Sequence, residues 1–161
     1  MRLGRRSWDR PPAAAAGVLL ASPGGPFSRA AIRRACELAG GEPVAVLSIL
    51  KVYGSSFGFP NPGLMPTRRE RDEQYAIVRR AIAAVERRGG TADGQIAATR
   101  SAGRTIAKVA RRRRVRYVVM DDPAPSGVRR ITEGSITATV RRRLGGGAEL
   151  ELVTGAPARN S

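Results

Sequence analysis

The sequence predicts an α/β protein, a single doubly wound domain whose five-stranded parallel sheet carries four helices on its two faces. Three observations predict it. Short apolar runs, GVLLAS (17–22), VAVLSIL (44–50) and VRYVVM (115–120), lack the polar/apolar alternation of a sheet with one wet face, as strands covered on both faces do. Stretches with apolar residues three and four apart lie between these runs. Gly and Pro clusters separate the two kinds of segment, so strand and helix alternate along the chain, the order that right-handed βαβ crossovers require.

Residues 1–16, MRLGRRSWDRPPAAAA, have an Arg cluster, a Pro pair and an Ala run without a usable period, and read as a mobile basic arm. Arg5 and Arg6 before the apolar 13–21 run raise a signal-peptide reading, but Pro11 and Pro12 interrupt it and cleavage would remove the first strand. Strand one ends at the Pro23-Gly24-Gly25-Pro26 turn. From Ser28 to Ala39, Ile32, Ala35, Cys36 and Ala39 share one helical face, and Gly40-Gly41 ends the helix. Strand two follows, then the irregular stretch 51–67, dense in Gly and Pro, whose Tyr53, Phe57 and Phe59 read as pins to the body more than as a base-stacking surface.

The longest helix spans about Arg68 to Arg88, with Tyr75, Val78, Ala81, Ile82 and Val85 on its apolar stripe; Gly89-Gly90 stops it. QIAAT (95–99) is a weaker third strand. The helix after Gly103 turns Ile106, Val109 and Ala110 inward and runs into Arg111–Arg114. Strand four ends at Asp121, and Ser135 is placed to cap a last helix whose Ile136, Val140 and Leu144 recur four apart. ELELV (149–153) alternates charge with Leu, as a sheet-edge strand does; residues 17–154 form the domain and 155–161 a tail.

Composition narrows the chemistry. The chain has 161 residues, enough for one core, and no stretch reaches the ~18 apolar residues of a membrane span. Histidine is absent, which removes the commonest general base and metal ligand, and Cys36 is the only cysteine, so no internal disulfide can form. It reads as a buried structural thiol in a reducing cytoplasm. The formal net charge is +16, carried by 29 Lys plus Arg against 13 Asp plus Glu, which suits a polyanion surface and equally a set of solvated helix faces. Arg111, Arg112, Arg113 and Arg114, with Arg141, Arg142 and Arg143, are the candidate polyanion-binding residues; their place at helix C-termini is itself favourable by ~0.3 to 1 kcal/mol each.

The stretch from Val115 to Thr139 brings a strand end, a loop and a Gly-Ser helix start together at the carboxyl edge of a sheet, where open α/β folds bind ligands and a helix N-terminus offers N–H groups to an anion. Asp121 and Asp122 carry the oxygen ligands that Mg²⁺ takes, but adjacent strand positions face opposite sides, and turn or cap chemistry is the reading adopted for them; no metal site is expected.

Over nearly all of residues 17–154 the chain resembles the universal stress protein family. VLLASPGGPFSRAAIRRACELA is similar to the family's opening strand and helix, YVVMDDPAP to its fourth strand and loop, and ITEGSIT to its Gly-Ser helix start. The resemblance implies strand order 3-2-1-4-5, a homodimer paired along strand five, and a stress-response role in the bacterial cytoplasm without established enzyme chemistry. ATP-binding members carry an Asp after strand one and the pattern G-x2-G-x9-G-S after strand four; here these positions hold Pro23, then Asp121, Ala124, Gly134 and Ser135. Pro23 cannot accept a hydrogen bond from a ribose, and Asp121 puts negative charge near the expected phosphates.

The leading expectation is therefore a non-enzymatic stress-response domain with an altered or lost nucleotide pocket, acting through dimerisation and partner binding. An alternative is an adenine-nucleotide-binding regulator that holds ATP or another adenine nucleotide with Met120, Ala124, Gly134, Ser135 and Ile136. A second alternative is a basic adaptor that grips RNA, DNA or a ribonucleoprotein, or an acidic protein, with its Arg clusters.

Overall fold

The computed structural model describes residues 14–52, 65–122 and 128–155, with backbone alone for 128–134. The elements run β1 (Val18–Ser22), α1 (Arg29–Ala39), β2 (Val44–Lys51), α2 (Arg68–Arg87), β3 (Ala92–Thr99), α3 (Ala102–Arg113), β4 (Tyr117–Asp121), α4 (Val128–Leu144) and β5 (Glu149–Val153). The strands form one parallel sheet in the order β3-β2-β1-β4-β5. The fold class and strand order are those expected.

The strands at the centre of the sheet are buried on both faces, which is why β1 and most of β2 read as unbroken apolar runs. Val18, Leu20, Val44, Val46 and Val119 pack under α1 and α2, with Ala31, Ala35, Val78 and Val85. Leu19, Leu47, Ile49, Val118 and Met120 pack under α3 and α4, with Ile106, Val109, Val140 and Leu144. Each core is thus made by alternate residues of the same strands, and the two helix pairs lie on opposite sides.

Two glycines set how closely layers approach. A Cβ on Gly94 of β3 would lie 2.9 Å from Ile82 Cδ1 of α2, and one on Gly103 of α3 would lie 2.8 Å from Thr139 Cβ of α4 and 3.1 Å from the Ile136 carbonyl oxygen. The side chain is missing where a neighbour fills its space.

Four expectations change in detail. β3 begins at Ala92, three residues before the predicted QIAAT, because Gly94 and Asp93 pair with β2 in spite of low strand propensity. α4 begins at Val128, so Gly134 and Ser135 lie inside the helix and Ser135 is not its cap. One interior glycine costs only ~1 kcal/mol relative to Ala, and residues 128–133 contain no other helix breaker. The Ser135 carbonyl accepts a bond from Thr139 Oγ1 at 2.9 Å. The last residues assigned to the arm are also held: Ala16 is buried, and its N–H donates to the Arg113 carbonyl at 3.0 Å. Cys36 is half-buried instead of enclosed. The aromatics Tyr53, Phe57 and Phe59, the arm before Ala14 and the tail beyond Gly155 lie outside the described residues.

Candidate functional site

The strand order reverses between the parallel neighbours β1 and β4, so the crevice of this fold lies at their carboxyl ends, between Ser22 and Asp121. The β1–α1 turn is fastened from within. Ser22 Oγ donates to the Gly25 carbonyl at 2.6 Å and accepts the Gly24 N–H at 3.3 Å. Gln74 of α2 donates to the Gly24 carbonyl at 2.9 Å, and its own Oε1 accepts from Ser48 of β2 at 2.5 Å. Three elements thereby hold the segment that carries Pro23, and the Gly24 N–H and the Gly24 and Gly25 carbonyls are engaged by protein.

On the other side of the crevice, Asp121 reaches the start of α1. Its Oδ2 accepts the Ser28 N–H at 3.0 Å and its Oδ1 accepts the Ser28 hydroxyl in a short bond, while Ser28 Oγ accepts the Ala31 N–H at 3.0 Å. Ser28 is the N-cap of α1, whose first turn has no acidic residue of its own. The negative charge that favours a helix N-terminus is supplied here by a strand far away in sequence. The Asp121 carboxylate therefore occupies the Ser28 N–H at the helix N-terminus, the end to which anions are drawn. This corrects the turn or cap-of-what-follows reading of Asp121: it caps a helix that precedes it. Asp122 extends the ladder with β5 through its N–H to the Val153 carbonyl at 2.7 Å. The chain leaving β5 passes over the pair, since a Cβ on Gly155 would lie 2.7 Å from Ser28 Cβ and 3.1 Å from Asp121 Oδ1.

The nucleotide candidates differ in exposure. Met120 is 1% exposed in the core beneath α3 and α4. Ile136 is half-buried against the same core, and Ser135 is exposed near the middle of α4. Gly134 lies within the helix, and Ala124 is outside the described residues. Among the described residues no group of three or more His, Cys, Asp or Glu could hold a metal ion.

The Arg candidates divide. Arg113 is 1% exposed; its guanidinium makes two bonds to the Asp93 carboxylate, at 2.7 and 2.6 Å, and its Nε donates to the Ala14 carbonyl at 2.5 Å. It ties α3, β3 and the chain before β1 together, and so leaves the polyanion set because its fork is fully used inside the protein. Arg111, Arg112, Arg114, Arg141 and Arg142 are exposed. Arg143 is half-buried, and its carbonyl accepts from Arg111 Nη1 at 3.2 Å, which brings the ends of α3 and α4 together. Arg104 and Lys108, which the sequence reading passed over, are exposed on the same helix as Arg111.

At the far edge of the sheet, Arg34 of α1 donates to Glu151 of β5 at 2.8 Å and also meets Glu37 at 3.3 Å. Glu149 is exposed.

The comparisons agree with this architecture. A universal stress protein of Archaeoglobus fulgidus superposes with a TM-score of 0.64 at 14% identity, covering 88% of this chain and 95% of that one. A protein of the universal stress protein family from Burkholderia pseudomallei gives 0.61 at 16% identity over 89% and 100% of the two chains. The Archaeoglobus fulgidus protein in complex with dAMP gives 0.57 at 16% identity over 86% and 98%, and a universal stress protein in complex with cAMP gives 0.61 at 16% over 89% and 100%. No curated protein matches the chain. The family model for universal stress proteins matches residues 17–144, and the chain belongs to the universal stress protein family.

Proposed function

We propose that the protein is a non-enzymatic member of the family whose nucleotide crevice is closed from within, and that it works through dimerisation and partner binding. The observation that carries this reading is the Asp121 carboxylate on the N-cap of α1. A nucleotide phosphate brought to that helix end would meet a negative charge beside the N–H groups, and at ~4 Å two unit charges repel by about 4 kcal/mol in a surface-like dielectric. Met120 supports the same view, because it is 1% exposed in the core and offers the crevice no accessible side chain. The exposed edge of β5 suits a strand-paired homodimer, since Glu151 is already neutralised by Arg34 and only Glu149 would face a mate unpaired.

The test is calorimetric titration of the full chain with ATP, cAMP and dAMP, with and without Mg²⁺. No saturable binding by the wild type is expected, together with sedimentation as a dimer. Saturable binding or turnover of any of these nucleotides overturns the closed crevice, and a monomer at all concentrations overturns the dimer. The second reading, an adenine-nucleotide-binding regulator, is favoured by relatives solved with dAMP and cAMP, and the same titration decides it.

A further inference from the structure

The face formed by α3 and α4 carries a one-signed array that the fold does not require. Arg104, Lys108 and Arg111 fall at spacings of four and three, so they form one outward stripe on α3, with Arg112 beside it and Arg114 just past its end. Arg141 and Arg142 lie on the adjoining helix, and the Arg111 bond to the Arg143 carbonyl together with the close approach at Gly103 sets the helices side by side. These seven residues are exposed, and none of them makes an ion pair among the described residues. No acidic residue occurs in α3 or in α4 from Ser135 onward.

Helix-end electrostatics accounts for only part of this. Cations in the last turn of α3 and α4 are favourable, but Arg104 stands in the first turn of α3, where a positive charge opposes the macrodipole, and Lys108 stands in the middle. The pairs Arg104/Lys108 and Lys108/Arg112 are like charges four apart, which destabilise a helix. The opposite face is built differently: α2 pairs Arg69 with Glu73 at 3.0 Å, and α1 pairs Arg34 with Glu37. A stripe kept positive against local preference implies an anionic cover.

We infer that the α3–α4 face binds the phosphate backbone of duplex DNA without reading its sequence. The chemistry selects this partner. Guanidinium groups, six of the seven here, match phosphate geometry bidentately. Among the described residues the face has no exposed aromatic on which unpaired bases could stack, and the one large exposed hydrophobic is Met65, which precedes α2. Among the described residues this face has no apolar anchor for insertion into a lipid surface. Ser135 is the only exposed hydroxyl on the two helices among the described residues, which leaves little to recognise a 2′-hydroxyl.

The experiment is fluorescence anisotropy of the full chain with a labelled DNA duplex of about 20 bp, repeated with an RNA duplex of the same sequence and with anionic phosphatidylserine vesicles. If about four phosphates are engaged, raising salt from about 50 to about 200 mM should weaken DNA binding about 100-fold. The variant R104E/K108E/R111E should lose about as much again at low salt, whereas R71E/R80E/R87E, an equal charge change on exposed α2 residues, should change little. R104K/R111K, which keeps the charge and loses two guanidinium forks, should bind more weakly than wild type but far better than R104E/K108E/R111E, and a thermal midpoint of R104E/K108E/R111E no lower than wild type should show that charge reversal and not misfolding causes the loss. The inference is overturned by absence of DNA binding at low salt, by an affinity flat in salt, by equal losses from the α3 and α2 variants, or by RNA or vesicles binding as tightly as DNA. Nucleotide titration at the crevice does not bear on it, so the two readings fail separately.

Discussion

Asp121 and Ser28 stand 93 residues apart in sequence and share two hydrogen bonds, one from the Ser28 N–H at 3.0 Å and one from its hydroxyl. Through them the last residue of β4 becomes the electrostatic cap of α1. The contact joins the two halves of the sheet at the edge where open α/β folds bind ligands, so one pair stabilises the fold and, on the function proposed above, also closes the crevice.

Removing the carboxylate should uncouple those effects. Asp121→Ala should lower unfolding free energy by about 1 to 3 kcal/mol, since a charged acceptor with two donors is lost and the Ser28 N–H is left half-buried. Ser28→Ala should cost about 1 kcal/mol as a lost cap. The double variant should cost less than the sum, because the two residues act as a unit. Urea unfolding of the four proteins measures the coupling, and strict additivity would remove the pair from any shared role.

Arg113 predicts a larger effect from a less visible place. Its side chain is 1% exposed and satisfied by Asp93 and Ala14, so Asp93→Ala would strand a buried guanidinium, at a cost of about 3 to 5 kcal/mol. Arg113→Met, which removes the charge and keeps the volume, should cost clearly less than Asp93→Ala. Thermal unfolding in parallel decides it; equal losses would show that the contact with the chain before β1, and not charge compensation, dominates.

The helix contact at Gly103 should tolerate no side chain. A methyl there would press on Thr139 and the Ile136 carbonyl, so Gly103→Ala should destabilise by about 1 to 3 kcal/mol despite the better helix propensity of Ala. If the cause is steric, Thr139→Ser in the same background should restore part of the loss, as it removes the Cγ2 that the new methyl meets.

What could be read from the sequence followed from local pattern. The apolar runs of β1, β2 and β4 and the inward stripes of α1, α2 and α3 need only neighbours within a few residues, and all are present. The site was legible as a place, the carboxyl edge between strands one and four, but its chemistry rests on pairs that no local pattern joins. Asp121 gives no hint of Ser28. Arg113 is different: Ile106, Val109, Ala110 and Arg113 lie on one stripe of α3, so helical spacing alone would have separated it from the exposed Arg111 and Arg112. The true start of α4 was hidden because Gly134 and Ser135 imitate a helix beginning while lying within one.

The start of α2 supplies a prediction in pH. Thr67 and Glu70 form a reciprocal capping box: Thr67 Oγ1 accepts the Glu70 N–H at 3.2 Å, and the Glu70 carboxylate accepts the Thr67 N–H at 2.6 Å and its hydroxyl at 3.0 Å. The bonds from the Thr67 backbone and hydroxyl hold the Glu70 carboxyl below its ordinary value. A depressed carboxyl contributes stability that is fully present above the unfolded-state pKa and is lost as pH falls through the folded one. The stability difference between wild type and Glu70→Ala should therefore be constant from neutral pH down to the ordinary Glu range and then shrink with acidification, as the wild-type carboxyl is protonated and the Thr67 N–H loses its charged acceptor. Urea midpoints for both proteins across that range test it. A difference that persists unchanged into strong acid would mean that Ala acts at this position through propensity alone and that the capping box contributes nothing.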